Sequence, residues 1–294
     1  MNLHGIIPAC ITPFIDGKAS PDAVQHNINR WLTAGVHGLL IFGSTGEFPY
    51  VTDDERRAIL QAARAATPSD RLLLAGCGAE STQQTLRNLQ WAAEDGADAA
   101  LVVTPVYYTR GKTEAQRRYF LTLAAASPIP VMIYTVPAFT AYDLPADLIL
   151  ELAQHPNIIG MKESTGDLRK VTSLVNQKSA DFTLFAGSPN LIFPALALGA
   201  EGSITALANI IPEIMVTIWQ AVQTGELTRA ATLQKVVTQL YDDIIGYGIP
   251  GYKAILAQRG FMPGEPRSPL ASLAPEAAPL VIRAWEQAMN RAGF

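Results

Sequence analysis

Cysteine is nearly missing from this 294-residue chain: Cys10 and Cys77 stand alone, in separate apolar runs. So few thiols exclude a disulfide-stapled scaffold and fit no cysteine metal motif, so two buried thiols in a reducing compartment are expected. Histidine is equally sparse. His4, His26, His37 and His155 form no His-x-His or His-Glu-x-x-His, and no acid stands at ligand spacing, so no metal site is expected. His26 and His37 fall within or just after the first expected helix and read as surface or capping residues. No apolar run reaches about 18 residues, which excludes a bilayer-spanning helix. The opening MNLHGIIPACITPF has neither a basic leader nor a small-residue cleavage site, so a cytoplasmic chain is expected. With 22 basic against 26 acidic side chains, the net charge of −4 offers no general attraction for nucleic acid or an anionic membrane. Arg56-Arg57 and Arg117-Arg118 read as solvated pairs on helices rather than a nucleic-acid stripe. A Gly-x-x-x-x-Gly-Lys phosphate loop, a Gly-x-Ser-x-Gly elbow and a Gly-x-Gly-x-x-Gly after the first strand are all missing.

What the chain does contain is apolar material in a regular order. Hydrophobic residues make up 49 % of it, enough for a large core. Short apolar runs begin at Ile6, Leu39, Leu72, Ala99, Val131, Ile158, Phe182 and Gly202, spaced by 33, 33, 27, 32, 27, 24 and 20 residues. Each interval suits a strand, a loop, a helix and a return. The runs are too uniformly apolar for half-exposed strands and fit strands covered on both faces. Helix signals lie between them. Ser20-Pro21 is a cap before a proline, Thr52-Asp-Asp-Glu55 a capping box, and Leu86, Leu89 and Ala93 an amphipathic stripe. Leu233, Val236, Val237, Leu240 and Ile244 repeat the helical period with no strand before them. The order predicts a (β/α)8 TIM barrel over residues 1–224 with additional C-terminal helices over 225–294. Pro263-Gly-Glu-Pro-Arg-Ser-Pro269 reads as a surface crossing before a last helix.

In such a barrel, chemistry sits at the carboxyl ends of the strands. Lys162 stands out there, closing the run Ile158-Ile-Gly-Met161. A lysine is rarely buried without a partner. Desolvation disfavours an ammonium, and a neutral amine can attack a ketone to form a Schiff base. The alternative is a lysine paired with Glu163 or Glu47. Gly43-Ser-Thr-Gly-Glu47 ends the second run and is either a tight turn or a nest of amides and hydroxyls able to hold a carboxylate or phosphate. Glu47 reads as an acceptor for backbone N–H groups of that loop. Tyr107, Tyr108 and Tyr134 are phenols near strand ends, any of which could relay a proton with a hydroxyl such as Ser44.

These residues, in their order and spacing, resemble the dihydrodipicolinate synthase and N-acetylneuraminate lyase family, the pyruvate-linked class I aldolases. The likeness runs from Gly5-Ile-Ile-Pro-Ala-Cys-Ile-Thr-Pro-Phe14 through the closing helices. It implies that Lys162 is the Schiff-base lysine and Tyr134 the proton-shuttling phenol. Ser44 and Thr45 match the pair that holds the keto-acid carboxylate, Ser44 also joining the relay. Tyr107 matches the tyrosine that one subunit lends to its neighbour, and Gly187 and Ile204 fall where the family lines its site. The resemblance also implies a homotetramer built from tight dimers, a small 2-keto acid substrate, and no metal or organic cofactor.

The departures concern the second substrate. Phe139 stands where dihydrodipicolinate synthases typically carry an arginine, and a phenyl ring cannot replace a bidentate guanidinium. Ser188-Pro189-Asn190 follows Gly187 where sialic acid lyases usually place an Asp-Glu pair. Thr135 replaces the asparagine common after the strand-five tyrosine. The expected activity is therefore a class I lyase acting on pyruvate or a 2-keto-3-deoxy sugar acid. The alternatives are a 2-keto acid dehydratase or deaminase, a 4-hydroxy-tetrahydrodipicolinate synthase, or a catalytically silent relative with a binding or regulatory role.

Overall fold

The computed structural model describes residues 3–294. Eight parallel strands form one sheet: β1 Gly5–Pro8, β2 Gly38–Ile41, β3 Leu72–Gly76, β4 Ala99–Val103, β5 Val131–Thr135, β6 Ile158–Glu163, β7 Thr183–Ala186 and β8 Gly202–Thr205. β8 pairs with β1. The bridge from Ala9 to Leu40 and the Cys10 N–H donating to the Leu40 carbonyl at 2.9 Å close the barrel between β1 and β2. Eight helices cover it: α1 Pro21–Thr33, α2 Asp53–Ala66, α3 Thr82–Glu94, α4 Thr113–Ala126, α5 Ala146–Leu152, α6 Leu168–Gln177, α7 Ile192–Leu198 and α8 Pro212–Gln223. Three more follow, α9 Leu227–Ile244, α10 Gly248–Gln258 and α11 Ala278–Ala292. α9 packs on α8 and α11, and α10 packs on α11. A small hairpin, Phe14–Ile15 with Lys18–Ala19, precedes α1.

Alternation along the strands makes two cores. Ile7, Leu40, Leu74, Leu101, Met132, Phe185 and Ile204 fill the barrel, while Ile6, Leu39, Leu73, Val102, Ile133 and Met161 meet the helices. Both faces are therefore covered, which is why the strands read as unbroken apolar runs. The pairing of β5 with β6 contains one irregularity: Val131 pairs with Ile158, but Met132 pairs with Gly160. Among the described residues no helix is long and apolar enough to cross a membrane.

Helix ends follow the sequence signals. The Ser20 hydroxyl accepts the Ala23 N–H, and the Thr52–Glu55 capping box is complete in both directions. Three side-chain expectations are corrected. Arg56 is not solvated: it is 8 % exposed, donates to the Gly76 carbonyl at 2.8 Å and lies 4.6 Å from the centre of the Phe42 ring, contacts that offset its desolvation. His37 is neither a cap nor a surface group. It is half-buried against Trp219, and its Nδ1 accepts the Ile6 N–H at 3.1 Å. α3 buries Thr85, Asn88, Leu89 and Ala92, one position round from the apolar stripe. Asn88 can face the sheet because its amide donates to the Cys77 carbonyl at 2.9 Å.

Candidate active site at the mouth of the barrel

Lys162 and Tyr134 are brought together by the sheet itself. The two residues are register partners across β5 and β6, both 5 % exposed, and the Lys162 Nζ lies 4.4 Å from the centre of the Tyr134 ring. Among the described residues no carboxylate comes within ion-pair distance of that ammonium, so neither Glu163 nor Glu47 is its partner. Glu163, the next residue, faces the helix side of the strand, where its Oε1 accepts the Thr165 N–H at 2.8 Å. Burial pushes the Glu163 carboxyl above its usual range, and the Thr165 contacts oppose this. What remains at Lys162 is a buried cationic side chain against the Tyr134 ring.

Tyr134 also walls an open pocket of about 230 Å3 with Gly43, Ser44, Phe48, Leu101 and Val103. Lys162 adjoins this pocket at the Tyr134 ring rather than lining it. Ser44–Gly46 forms a single 3-10 turn. Within it the Gly46 N–H donates to the Gly43 carbonyl at 2.9 Å and the Glu47 N–H to the Ser44 carbonyl at 3.2 Å. The N–H groups of Ser44 and Thr45 have no acceptor among the described residues, leaving two adjacent donors and two hydroxyls. Adjacent free N–H groups of this kind are able to hold a small carboxylate. The backbone turns sharply before it. Phe42 holds a left-handed φ of 62°, and a side chain at Gly76 would meet the Phe42 carbonyl oxygen at 2.0 Å, so only glycine lets β3 pass so close.

Glu47 does not serve its own loop, as its place in the motif suggested. Its carboxylate forms an ion pair with Lys253 at 2.8 Å and accepts the Arg267 N–H at 2.8 Å, both from the C-terminal region. Gly187 follows β7, where an added Cβ would lie 3.0 Å from Lys162 Cε and 1.8 Å from Ser164 Oγ. Ile204 is fully buried inside the barrel, in one cluster with Tyr134 and Phe185. Ser188 and Asn190 are half-buried after β7, and Asn190 Oδ1 is buried without a protein partner. Phe139 lies on the one-turn helix Pro137–Thr140 and is 77 % exposed. Tyr107 and Tyr108 stand out from the loop after β4, 76 % and 79 % exposed, with ring centres 4.8 Å apart. Glu80 fixes that loop by accepting the Val106 and Tyr107 N–H groups. Tyr107 does not line the pocket that Ser44 and Tyr134 share.

Comparison with known proteins identifies the family. A sequence model of the dihydrodipicolinate synthetase family matches residues 2–288. The chain belongs to that family. A 4-hydroxy-tetrahydrodipicolinate synthase of Exiguobacterium is 34 % identical over 96 % of this chain and 97 % of its own. A DapA-like lyase of Halobacterium salinarum is 34 % identical over 93 % of this chain and 90 % of its own. Among solved structures, YagE of Escherichia coli K12, crystallised with pyruvate, superposes with a TM-score of 0.91 at 28 % identity, covering 97 % of this chain and 98 % of that one. The synthase of Aquifex aeolicus gives 0.92 at 28 %, over 97 % and 98 %. As a member of the dihydrodipicolinate synthetase family, the chain is a class I, Schiff-base lyase.

Three hydroxyls at the same end of the barrel belong to no motif in the sequence. Thr104, Ser164 and Thr205 follow or end β4, β6 and β8, and each has a buried side-chain oxygen with no protein partner. Their only signal in the sequence was position, a polar residue at the close of an apolar run. A buried hydroxyl without a partner is a place for water or a polar ligand.

Proposed function

We propose that Lys162 forms an imine with the carbonyl of a 2-keto acid, pyruvate or a pyruvate-containing adduct, and that Ser44 and Thr45 hold its carboxylate. One observation carries this reading: a buried lysine without a carboxylate partner, against Tyr134, beside a turn with two free N–H groups. The amine adds to the ketone carbon and water leaves, producing a protonated imine. That cation accepts the electron pair of a breaking C–C bond, or yields a proton to become an enamine that attacks an aldehyde. Tyr134 and Ser44 move the proton, with Tyr107 of a neighbouring subunit completing the relay. The exposure of Tyr107, Tyr108 and Phe139 supports a homotetramer built from dimers that cover them.

The substrate class favoured is a 2-keto-3-deoxy sugar acid. Phe139 offers no guanidinium to a distal carboxylate, while the unpaired Asn190 oxygen and the unpaired Ser164 hydroxyl beside Gly187 suit hydroxyl groups. Burying a carboxylate without its charged partner costs about 2–5 kcal/mol, or roughly 30-fold to several-thousand-fold in rate. The curated relatives named as synthases favour a second reading, 4-hydroxy-tetrahydrodipicolinate synthesis with another residue in place of the arginine.

Pyruvate with borohydride is expected to leave one reduced adduct on the wild-type protein and none on Lys162→Ala. Labelling of another lysine would overturn the mechanism. Comparing kcat/KM for aspartate semialdehyde, N-acetylneuraminate and several 2-keto-3-deoxy sugar acids separates the substrate readings. If aspartate semialdehyde wins by about tenfold, the specificity proposed here is wrong.

A further inference from the structure

The turn that carries Ser44 and Thr45 is fastened from outside the barrel. Lys253, on α10, and Glu47 are a buried ion pair, their side chains 4 % and 0 % exposed. The Lys253 ammonium also donates to the Thr12 carbonyl at 3.0 Å and the Glu265 carbonyl at 2.8 Å, so two backbone acceptors hold it beside the Glu47 carboxylate. Thr12 in turn donates to the Gly46 carbonyl at 2.6 Å, inside the turn. A side chain at Gly46 would meet the Cys10 carbonyl oxygen at 2.9 Å, so the turn lies flush against the segment after β1. Glu47 itself has a φ of 53°, a backbone state that residues with a side chain rarely adopt. On its own the turn has only two internal hydrogen bonds to hold that shape.

We infer that Lys253 is a positioning residue for keto-acid binding: through Glu47 and Thr12 it holds the Ser44 and Thr45 N–H groups at the angle a carboxylate needs. This deepens the proposed function and rests on it. Lys253 touches neither the pocket nor Lys162, so its effect falls on how tightly the keto acid is held rather than on imine chemistry. Its opposite charge is essential. A lone Glu47 carboxylate, buried and unpaired, would pull the turn toward solvent, whereas loss of both charges would leave a neutral, better-tolerated contact.

The test uses the full-length protein with pyruvate as probe. In Lys253→Met, the pyruvate concentration for half-maximal borohydride trapping is expected to rise about 10- to 100-fold, with the maximal trapping rate within about threefold of wild type. Hydrogen exchange at the Gly46 and Glu47 amides is expected to quicken at least about tenfold, with the Met161 and Lys162 amides unchanged. The pair Glu47→Gln/Lys253→Met should recover part of both losses. Unchanged exchange at Gly46 and Glu47, or a double variant no better than Lys253→Met, overturns the inference. Should Lys253→Met fail to fold, exchange in the double variant against wild type decides: faster Gly46 and Glu47 amides support the inference, and unchanged ones overturn it. Absence of any trapping in wild type would refute the Schiff-base reading alone, and the exchange result would still judge the positioning.

Discussion

Replacing Gly187 by alanine tests whether Lys162 must stand where the barrel puts it. The backbone at Gly187 is not in the left-handed region, so alanine is allowed there and the whole effect comes from one methyl group. That methyl would lie 3.0 Å from Lys162 Cε, 3.0 Å from the Glu163 carbonyl oxygen and 1.8 Å from Ser164 Oγ. The serine can rotate away. The lysine stem cannot easily do so, because β6 carries it inside the barrel. Overpacking of this kind costs about 1–3 kcal/mol of stability. A shift of a few tenths of an ångström to one ångström at Cε is expected to slow imine formation about 10- to 100-fold, equivalent to about 1.4–2.7 kcal/mol of barrier. The assay is the rate of borohydride-trapped pyruvate adduct, read beside the midpoint of urea unfolding. Ser164→Ala/Gly187→Ala removes the closest clash, so it should regain stability while trapping stays slow. Wild-type trapping in Gly187→Ala would show that the lysine tolerates displacement and would refute the reasoning.

Two further outcomes can be checked. Burial, with His4 and Arg71 nearby, pulls His37 down from 6.5 to about 4, so its neutral form is favoured on folding. That stability is complete above 6.5 and is lost progressively as pH falls toward about 4. Between pH 7.5 and 5 the wild type should lose about 1 kcal/mol more than His37→Gln, allowing for solvent screening at this half-buried ring; parallel pH curves would contradict it. Separately, Tyr107→Phe and Lys162→Ala subunits refolded together should regain activity that neither has alone, and no recovery in confirmed hetero-oligomers would place the phenol outside its neighbour's site.

The parts of this protein legible in its sequence were those dictated by continuous local pattern. Strands buried on both faces leave unbroken apolar runs, so all eight were visible, as was Lys162 as a cation closing one of them. Polar residues that reach the interior by satisfying backbone groups were not. Arg56 reads as a wet-side residue because its acceptor, the Gly76 carbonyl, belongs to the next strand, and nothing local marks Asn88 as buried, since the Cys77 carbonyl it donates to lies outside α3. Glu47 was seen, but its partner was assigned to the wrong place, since Lys253 is joined to it only by the final packing of α10. The Pro263–Pro269 crossing was read as a surface connection, yet Arg267 within it pairs with Glu55 and donates to the Tyr50 carbonyl at 2.6 Å. Nothing in its composition marks that anchoring role.

The skipped register between β5 and β6 decides which chemistry the barrel interior holds. Because Met132 pairs with Gly160 rather than Ile159, the phase of β6 advances by one residue before Lys162 is reached. Had the ladder run on evenly from Val131 and Ile158, Met161 would stand opposite Tyr134 and Lys162 would turn outward among the helices, with Glu163 taking the inner position. A bulge that re-aims a side chain is a known way to place a reactive group. Here the difference is between an electrophile-seeking amine and an acid in the same cavity. The sequence Met-Lys-Glu contains both possibilities, and one extra residue of backbone upstream selects between them.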